Sequence, residues 1–225
     1  MPMLIKVRQL IDKNIINKNY LLQLLDGVIL DISNKVRIKN DKELISYSYQ
    51  VAGTVGLMMS QILNVTEKVA YKYAIDLGIA FQLTNIARDI LDDAKINRVY
   101  IPSSWYKLNI KEIVSTNYKN KEKLKNATRD LLDLADVYYA SAIKGLAFLS
   151  IRNRFAIFLA LSIYRQIGKK IIRKGYSNLN IRESVSLIEK IFCFVKCLFL
   201  FLFNFYIHKK KYKHNTILHK HLKNI

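Results

Sequence analysis

Only two prolines interrupt this chain, Pro2 and Pro102, and glycine occurs just seven times. Between these sparse breakers, apolar residues recur every three or four positions, the period of an amphipathic helix rather than of a strand. That combination points to an all-α protein. At 225 residues, 51% of them apolar, the chain has material for one core, and a domain of this size buries about 70% of its unfolded surface. No glycine-rich loop joins a strand to a helix, which argues against a nucleotide-binding α/β fold. Helices are predicted near 19–31, 42–63, 66–95, 120–149, 153–175 and 181–207, with an irregular stretch at 96–119 around Pro102 and Trp105. Asp41 and Thr66 stand where N-caps belong, and Gly175 follows a last turn rich in Lys and Arg.

Charge and histidine placement narrow the chemistry. A net charge of +20 fits nucleic acid, an anionic membrane or a polyanionic substrate. It fits equally the drift of a Lys-, Asn- and Ile-rich composition, because most lysines are scattered. All four histidines (His208, His214, His219, His221) fall in the last eighteen residues. The predicted helical body thus has no histidine for a Ser-His-Asp arrangement or a His/Cys zinc site, leaving carboxylates, amides, Arg, Lys and Tyr. Cys193 and Cys197, four apart, read as free thiols in a reducing compartment rather than as a disulfide scaffold. Met1 to Asn19 shows no signal-peptide pattern, and a cytoplasmic location follows, with membrane association as its variant.

One predicted helix carries a polar stripe. Between Ile75 and Ala94 the sequence is IDLGIAFQLTNIARDILDDA. At spacings of three, four and four, Gln82, Asn85, Asp89 and Asp93 line up on one helix face. Ile79, Leu83, Ile86 and Ile90 flank them, so the stripe reads as the wall of a cavity inside a bundle rather than as a solvated face. Two carboxylates one turn apart suit Mg²⁺, which takes one or two carboxylates and bridges to substrate phosphates. Asn85 adds a neutral oxygen, and Arg88 can fork onto a diphosphate. The plainer alternative is an exposed acidic helix end, with Asp92 and Asp93 paired to Lys95 or Arg98.

The segment QLTNIARDILDDAKINRVYIP (Gln82–Pro102) resembles the second aspartate-rich signature of the squalene and phytoene synthases. YSYQVAGTVGLMM (Tyr47–Met59), LLDGVILDI (Leu24–Ile32) and ALSIYRQIGKKIIRKGY (Ala160–Tyr176) resemble other segments of that family, so the similarity runs from about residue 20 to 190. The resemblance implies an isoprenoid-synthase helical bundle, over residues 1–190, that condenses two prenyl diphosphates (geranylgeranyl or farnesyl) head to head. Mg²⁺, or Mn²⁺ in its place, would assist loss of diphosphate. It implies that Asp89 and Asp93 bind the metal–diphosphate with Asn85 as a further ligand, supported by Arg88 and Gln82. Tyr47, Val51, Gly56 and Met59 would line a hydrophobic tunnel, and Tyr164 would face it from a late helix. Asn97 stands where the family has Gly, a cheap exchange where a left-handed turn is required. Gly53 and Gly56 read equally as sites of close helix packing.

The family also needs a first aspartate-rich motif on an earlier helix. Nothing before residue 75 supplies it: Asp26 and Asp31 are five apart and match the family's linking segment, and Asp12 stands alone. The helices that carry that motif would precede Met1, which predicts an N-terminally truncated bundle. Asp130, Asp133 and Asp136 read as a solvated face. Ile191–Ile207 is apolar and bordered by Lys190 and HKKKYKH; it reads as the last core helix or as a membrane-docking helix, followed by a basic tail over 208–225. Three functions compete: a prenyltransferase of the phytoene/squalene synthase type, a degenerate member that binds prenyl diphosphate or a partner without turnover, and, least supported, a nucleic-acid-binding helical protein.

Overall fold

The computed structural model describes residues 2–33, 35–114, 118–176, 182–203 and 212–222. Helices α1 (Pro2–Asp12), α2 (Lys18–Ile32), α3 (Asp41–Ser48) and α4 (Thr54–Ile62) precede a long α5 (Lys68–Lys95). Then follow a short α6 (Ile110–Val114), a long α7 (Tyr118–Gly145), α8 (Ile151–Arg173) and α9 (Leu187–Phe203). The all-α expectation holds. Helix α1 was not anticipated, because Met1 to Asn19 has charges spread among its apolar residues.

The capping residues differ from expectation by one position. Asn40, not Asp41, caps α3: its side chain accepts the Glu43 N–H, while the Glu43 carboxylate accepts the Lys39 N–H. The helix predicted from 66 begins after Glu67 rather than Thr66. Gly175 (φ +66°) does close α8 in the left-handed region, and Asn97 (φ +65°) does the same after α5, as an amide side chain tolerates.

The predicted helix 42–63 is continuous but not uniform. Tyr49–Gly53 forms one π-helical turn between α3 and α4, the kind of bulge that re-aims side chains within a helix. Glycines then bring this turn and α4 into backbone contact with α5. A Cβ on Gly56 would lie 2.3 Å from the Ala74 carbonyl oxygen, and one on Gly78 2.3 Å from that of Ala52.

Helix α5 is the axis of the bundle. Ile75, Ile79 and Leu83 are fully buried on it, packed with Leu124 and Leu131 of α7 and Leu161 of α8. Within the supposedly irregular stretch, β2 (Arg98–Val99) pairs in parallel with β1 (Val36–Arg37). Arg37 ties this pair down by donating to the Asn97 backbone and side-chain oxygens, both at 2.8 Å. The two-stranded clasp joins the C-terminal end of α2 to that of α5.

The apolar C-terminal helix lies on the outside. Phe194 and Phe201 of α9 pack edge-on to Phe155 of α8, yet Cys197 alone among α9 residues is buried. The expectation of a last core helix is therefore not met; Phe192, Phe199, Leu202 and Phe203 are exposed. Residues 204–207 of that apolar run, and His208, lie outside the described residues. Among those described, no helix is long and apolar enough to cross a membrane. Residues 212–222 pack against the bundle, with Leu218 and Leu222 on the core.

Candidate functional site

The stripe predicted on one helix face sits at the C-terminal half of α5. Gln82, Asn85, Asp89 and Asp93 are each half-buried, whereas Asp92 is exposed and pairs with Lys95 at 2.9 Å. The exposed-turn alternative thus describes Asp92 but not its neighbour. Gln82 and Asn85 touch through Asn85 Nδ2 and Gln82 Oε1 at 3.4 Å. The other Asn85 atom, Oδ1, is buried with no hydrogen-bond partner, an uncommon state for a buried polar atom.

Asp89 is held by two arginines. Arg88 donates to Oδ1 at 2.8 Å and to Oδ2 at 2.5 Å, and Arg182 donates to Oδ1 at 3.0 Å. Burial alone would raise its carboxyl, but the hydrogen bonds from Arg88 and Arg182 outweigh that and hold it below the ordinary range. Asp93 behaves oppositely. Its carboxylate makes no hydrogen bond among the described residues, and burial first, the Asp89 charge second, push its carboxyl up to about 6, with Arg98 pulling the other way.

A third carboxylate approaches from α2. Asp31 accepts hydrogen bonds from the hydroxyls of Tyr47 (2.9 Å) and Tyr100 (2.6 Å), whose rings stack with centroids 4.9 Å apart. Its charge is among those that raise Asp93. The β1–β2 clasp is what brings this end of α2 to the acidic end of α5. Sequence reasoning set Asp31 aside because it stands five residues from Asp26 and matches the family's linking segment; Tyr100, although inside the Gln82–Pro102 segment, and Arg182 were not singled out. Tyr47 also departs from expectation. It does not line the apolar cavity but orients Asp31 at the polar end.

That cavity, about 350 Å³, opens beside Gln82 and Asn85 and runs back along α5 past Phe81, Gly78 and Ala74 to Ala70. These positions continue the face that carries the carboxylates, because each step is three or four residues or their immediate neighbours. Over the fifteen residues from Asn85 to Ala70 the helix rises about 22 Å. Val51, Gly56 and Met59 line the opposing wall, and Tyr164 closes it from α8, its ring stacked on Phe81 at 4.2 Å. The structure therefore places Val51, Gly56, Met59, Gln82, Asn85 and Tyr164 around one cavity, with Arg88, Asp89 and Asp93 beyond its polar mouth. Elsewhere, the half-buried Asp130 accepts from the Tyr106 hydroxyl and the exposed Asp136 pairs with Arg165.

The donor set at the mouth suits a hard divalent cation. It offers two carboxylates one turn apart, a third carboxylate facing them and an amide oxygen buried without a partner. Arginines on Asp89 supply positive charge where a diphosphate would add negative charge.

Comparison with known proteins identifies the chain's relatives. The family model described as squalene/phytoene synthase matches residues 1–189. The 15-cis-phytoene synthase of Pantoea ananas is 42% identical over 170 residues, covering 74% of this chain and 54% of that one. Phytoene synthase 1 of Arabidopsis thaliana is 34% identical over 177 residues, covering 75% and 41%. The chain spans about half the length of the curated relatives it matches. Among solved structures, a dehydrosqualene synthase in complex with ligand superposes with a TM-score of 0.68 at 24% identity, covering 81% of this chain and 64% of that one. The squalene synthase HpnC from Alicyclobacillus acidocaldarius gives 0.63 at 17%, covering 72% and 61%. These likenesses carry the fold, and the family model with the closely similar sequences carries the kinship: this chain belongs to the squalene/phytoene synthase family.

Proposed function

We propose that the polar mouth of the α5 cavity binds a prenyl diphosphate through Mg²⁺, with Mn²⁺ as a substitute, and that the apolar cavity takes the prenyl chain. The reaction class is head-to-head condensation of two prenyl diphosphates, geranylgeranyl or farnesyl, with loss of diphosphate. The observation that carries the reading is continuity: one face of α5 presents apolar residues up to Phe81, amides at Gln82 and Asn85, then carboxylates at Asp89 and Asp93. A chain with an apolar tail and an anionic head matches that order.

In this reading Asp89, Asp93 and the Asn85 Oδ1 hold the metal, and Arg88 and Arg182 turn from Asp89 onto diphosphate oxygens. Bound there, the cation supplies neutralisation of the charge that develops on a departing diphosphate. The apolar walls keep water from the carbocation left behind. Tyr164 faces that position from α8.

A second reading, binding without turnover, is favoured by the opposite wall. Among the described residues it presents one carboxylate to the stripe, Asp31, and two tyrosines already occupy it. Incubating the purified chain with Mg²⁺ and geranylgeranyl or farnesyl diphosphate separates the two. Released diphosphate with a hydrocarbon product supports condensation; Mg²⁺-dependent binding alone supports the second reading. If the double substitution Asp89→Asn, Asp93→Asn leaves binding intact, the site assignment is wrong. Binding that needs no Mg²⁺ and falls steeply with salt would instead indicate diffuse polyanion contact. The exposed apolar face of α9, with Lys190 and Lys196 beside it, supports peripheral contact with an anionic membrane, where a lipophilic product would partition.

A further inference from the structure

Asp76 lies on α5 but takes no part in the stripe. At about 3.6 residues per turn it falls on the opposite side of the helix from Asn85, and about 20 Å along the axis from Asp89. Its side chain is fully buried. A carboxylate in that position is tolerated only when paired or metal-bound. Three groups converge on it. Ser141 of α7 donates to Oδ2 at 2.6 Å, His214 Nε2 lies 2.9 Å from Oδ2, and His219 Nε2 lies 2.8 Å from Oδ1. Burial would raise the Asp76 carboxyl, but its contacts with His214, His219 and Ser141 prevail and lower it. The imidazoles come from the C-terminal segment, which the sequence reading set aside as a basic tail. The absence of histidine from the body is thereby corrected, because the tail brings two of them into it.

We propose that Asp76, His214 and His219 form a Zn²⁺ site that fastens the C-terminal segment to α5. The ligand atoms of the three residues all lie within 4.8 Å of one another, and all three residues are buried. Their rings and carboxylate are already aimed: both imidazoles present Nε2 to the same carboxylate, with ring centroids 4.5 Å apart. The other His214 nitrogen is buried without a partner, so the interactions of that ring run through Nε2. Tetrahedral bonds of about 2.0–2.2 Å place neighbouring ligand atoms roughly 3.3 Å apart, so the two histidine–carboxylate contacts need open by about half an ångström, and the remaining separations, all within 4.8 Å, settle to the same value. Two imidazole nitrogens with one carboxylate oxygen suit Zn²⁺ and its first-row neighbours, not Mg²⁺ or Ca²⁺.

The surroundings are built to hold the segment. The Tyr73 hydroxyl donates to the Tyr212 carbonyl at 3.1 Å and the Tyr138 hydroxyl to the Leu218 carbonyl at 2.9 Å. The Tyr73 ring also meets His214 edge-on at 5.1 Å. These contacts bracket His214 and hold the residue just before His219, and the His214, His219 and Asp76 side chains expose 2%, 9% and 0% of their surface.

The test uses the full-length chain, stripped with a chelator and titrated with Zn²⁺ or with Co²⁺, whose visible bands report tetrahedral ligation. About one equivalent should remain bound after dialysis. His214→Gln and His219→Gln keep an N–H that can donate to Asp76 but ligate poorly, so each should lower affinity at least tenfold while circular dichroism stays helical. The Asp89→Asn, Asp93→Asn protein should hold its zinc undiminished. In hydrogen exchange, residues 212–222 should be protected more strongly with Zn²⁺ than with chelator. A wild-type chain that retains no Zn²⁺ or Co²⁺, or glutamine variants that retain it equally, would overturn the proposal and leave these residues a hydrogen-bonded anchor only.

Discussion

Substituting Gly78 by alanine tests whether α5 and the π turn that leads into α4 touch through their backbones. The added Cβ would stand 2.3 Å from the Ala52 carbonyl oxygen, 2.5 Å from its carbon and 2.7 Å from the Gly53 nitrogen, against an ordinary contact of 3.4 Å or more. All three are main-chain atoms, so no side chain can swing aside and the helices must separate by about an ångström. Alanine restores about 0.5–1 kcal/mol of helix preference, while overpacking a tight interface costs about 1–3 kcal/mol. The net runs from about zero to a loss of about 2.5 kcal/mol, centred near 1 kcal/mol. For a chain of this size that central value lowers Tm by roughly 2–4 °C. Gly168→Ala on α8 is the matched control. Its Cβ would meet only Leu132 Cδ2, at 3.1 Å, a flexible end that can yield, so stability should be unchanged or slightly raised. Gly56→Ala repeats the experiment from the other side, against Ala74. Because one separation relieves both clashes, the Gly56→Ala, Gly78→Ala double variant should lose less than the sum of the singles. Thermal and urea unfolding of the four proteins measure this. If Gly78→Ala melts with or above Gly168→Ala, the close approach does not exist.

Other outcomes follow from the site. The Asp93 carboxyl, pushed up to about 6 by burial and by Asp89, favours the protonated form in the folded chain. Its contribution to stability is therefore full below the unfolded value near 4 and lost as pH rises through 6. Discounted for partial exposure, the loss is of order 1 kcal/mol; urea unfolding of wild type minus Asp93→Asn between pH 4 and 7, without metal, reads it, and a flat difference refutes it. Asn85→Leu removes a buried unpartnered oxygen, so the metal-free chain should be as stable or up to about 1 kcal/mol more stable, while Mg²⁺-dependent diphosphate binding by calorimetry should fall. Tyr47→Phe removes a hydrogen bond to the Asp31 carboxylate and should cost about 1.5–3 kcal/mol in unfolding; a neutral result would mean that Tyr100 alone holds Asp31. Replacing Phe192, Phe199 and Phe203 by Ser should abolish co-sedimentation with anionic vesicles if α9 docks there, and leave secondary structure unchanged.

Much of this was legible because it is local. The α5 stripe depends only on residues three and four apart, and its apolar flanks placed it on a cavity wall. Gly175 and Asn97 announced their turns because few other residues accept positive φ. What escaped depends on contacts between distant parts of the chain. Asp31 reaches the acidic end of α5 through a clasp of two-residue strands, too short for any alternating pattern to show. Tyr47 shares a face with apolar neighbours, and only the fold reveals that its hydroxyl meets a carboxylate. The C-terminal histidines stand among lysines, where composition suggests solvent, and Asp76 looks unremarkable in the sequence beside Asp89 and Asp93. For α9 the sequence left a core helix and a membrane-docking helix both open, because apolarity measures what a helix would bury, not whether the bundle has room for it.

If a prenyl diphosphate binds as proposed, the shared face of α5 would also act as a length gauge. Asn85, Gln82, Gly78, Ala74 and Ala70 mark successive levels down the cavity, and each helical turn adds about 5.4 Å, close to the reach of one extended isoprene unit. Head group and tail would then be measured from the same rigid rod, and a substrate anchored at Asp89 as proposed would have its far end assigned to a particular turn. A bulky side chain at Ala74 would shorten the longest chain accepted by about one unit relative to Ala70, without touching the carboxylates. Chain length and ionisation would thus be set by different turns of one helix.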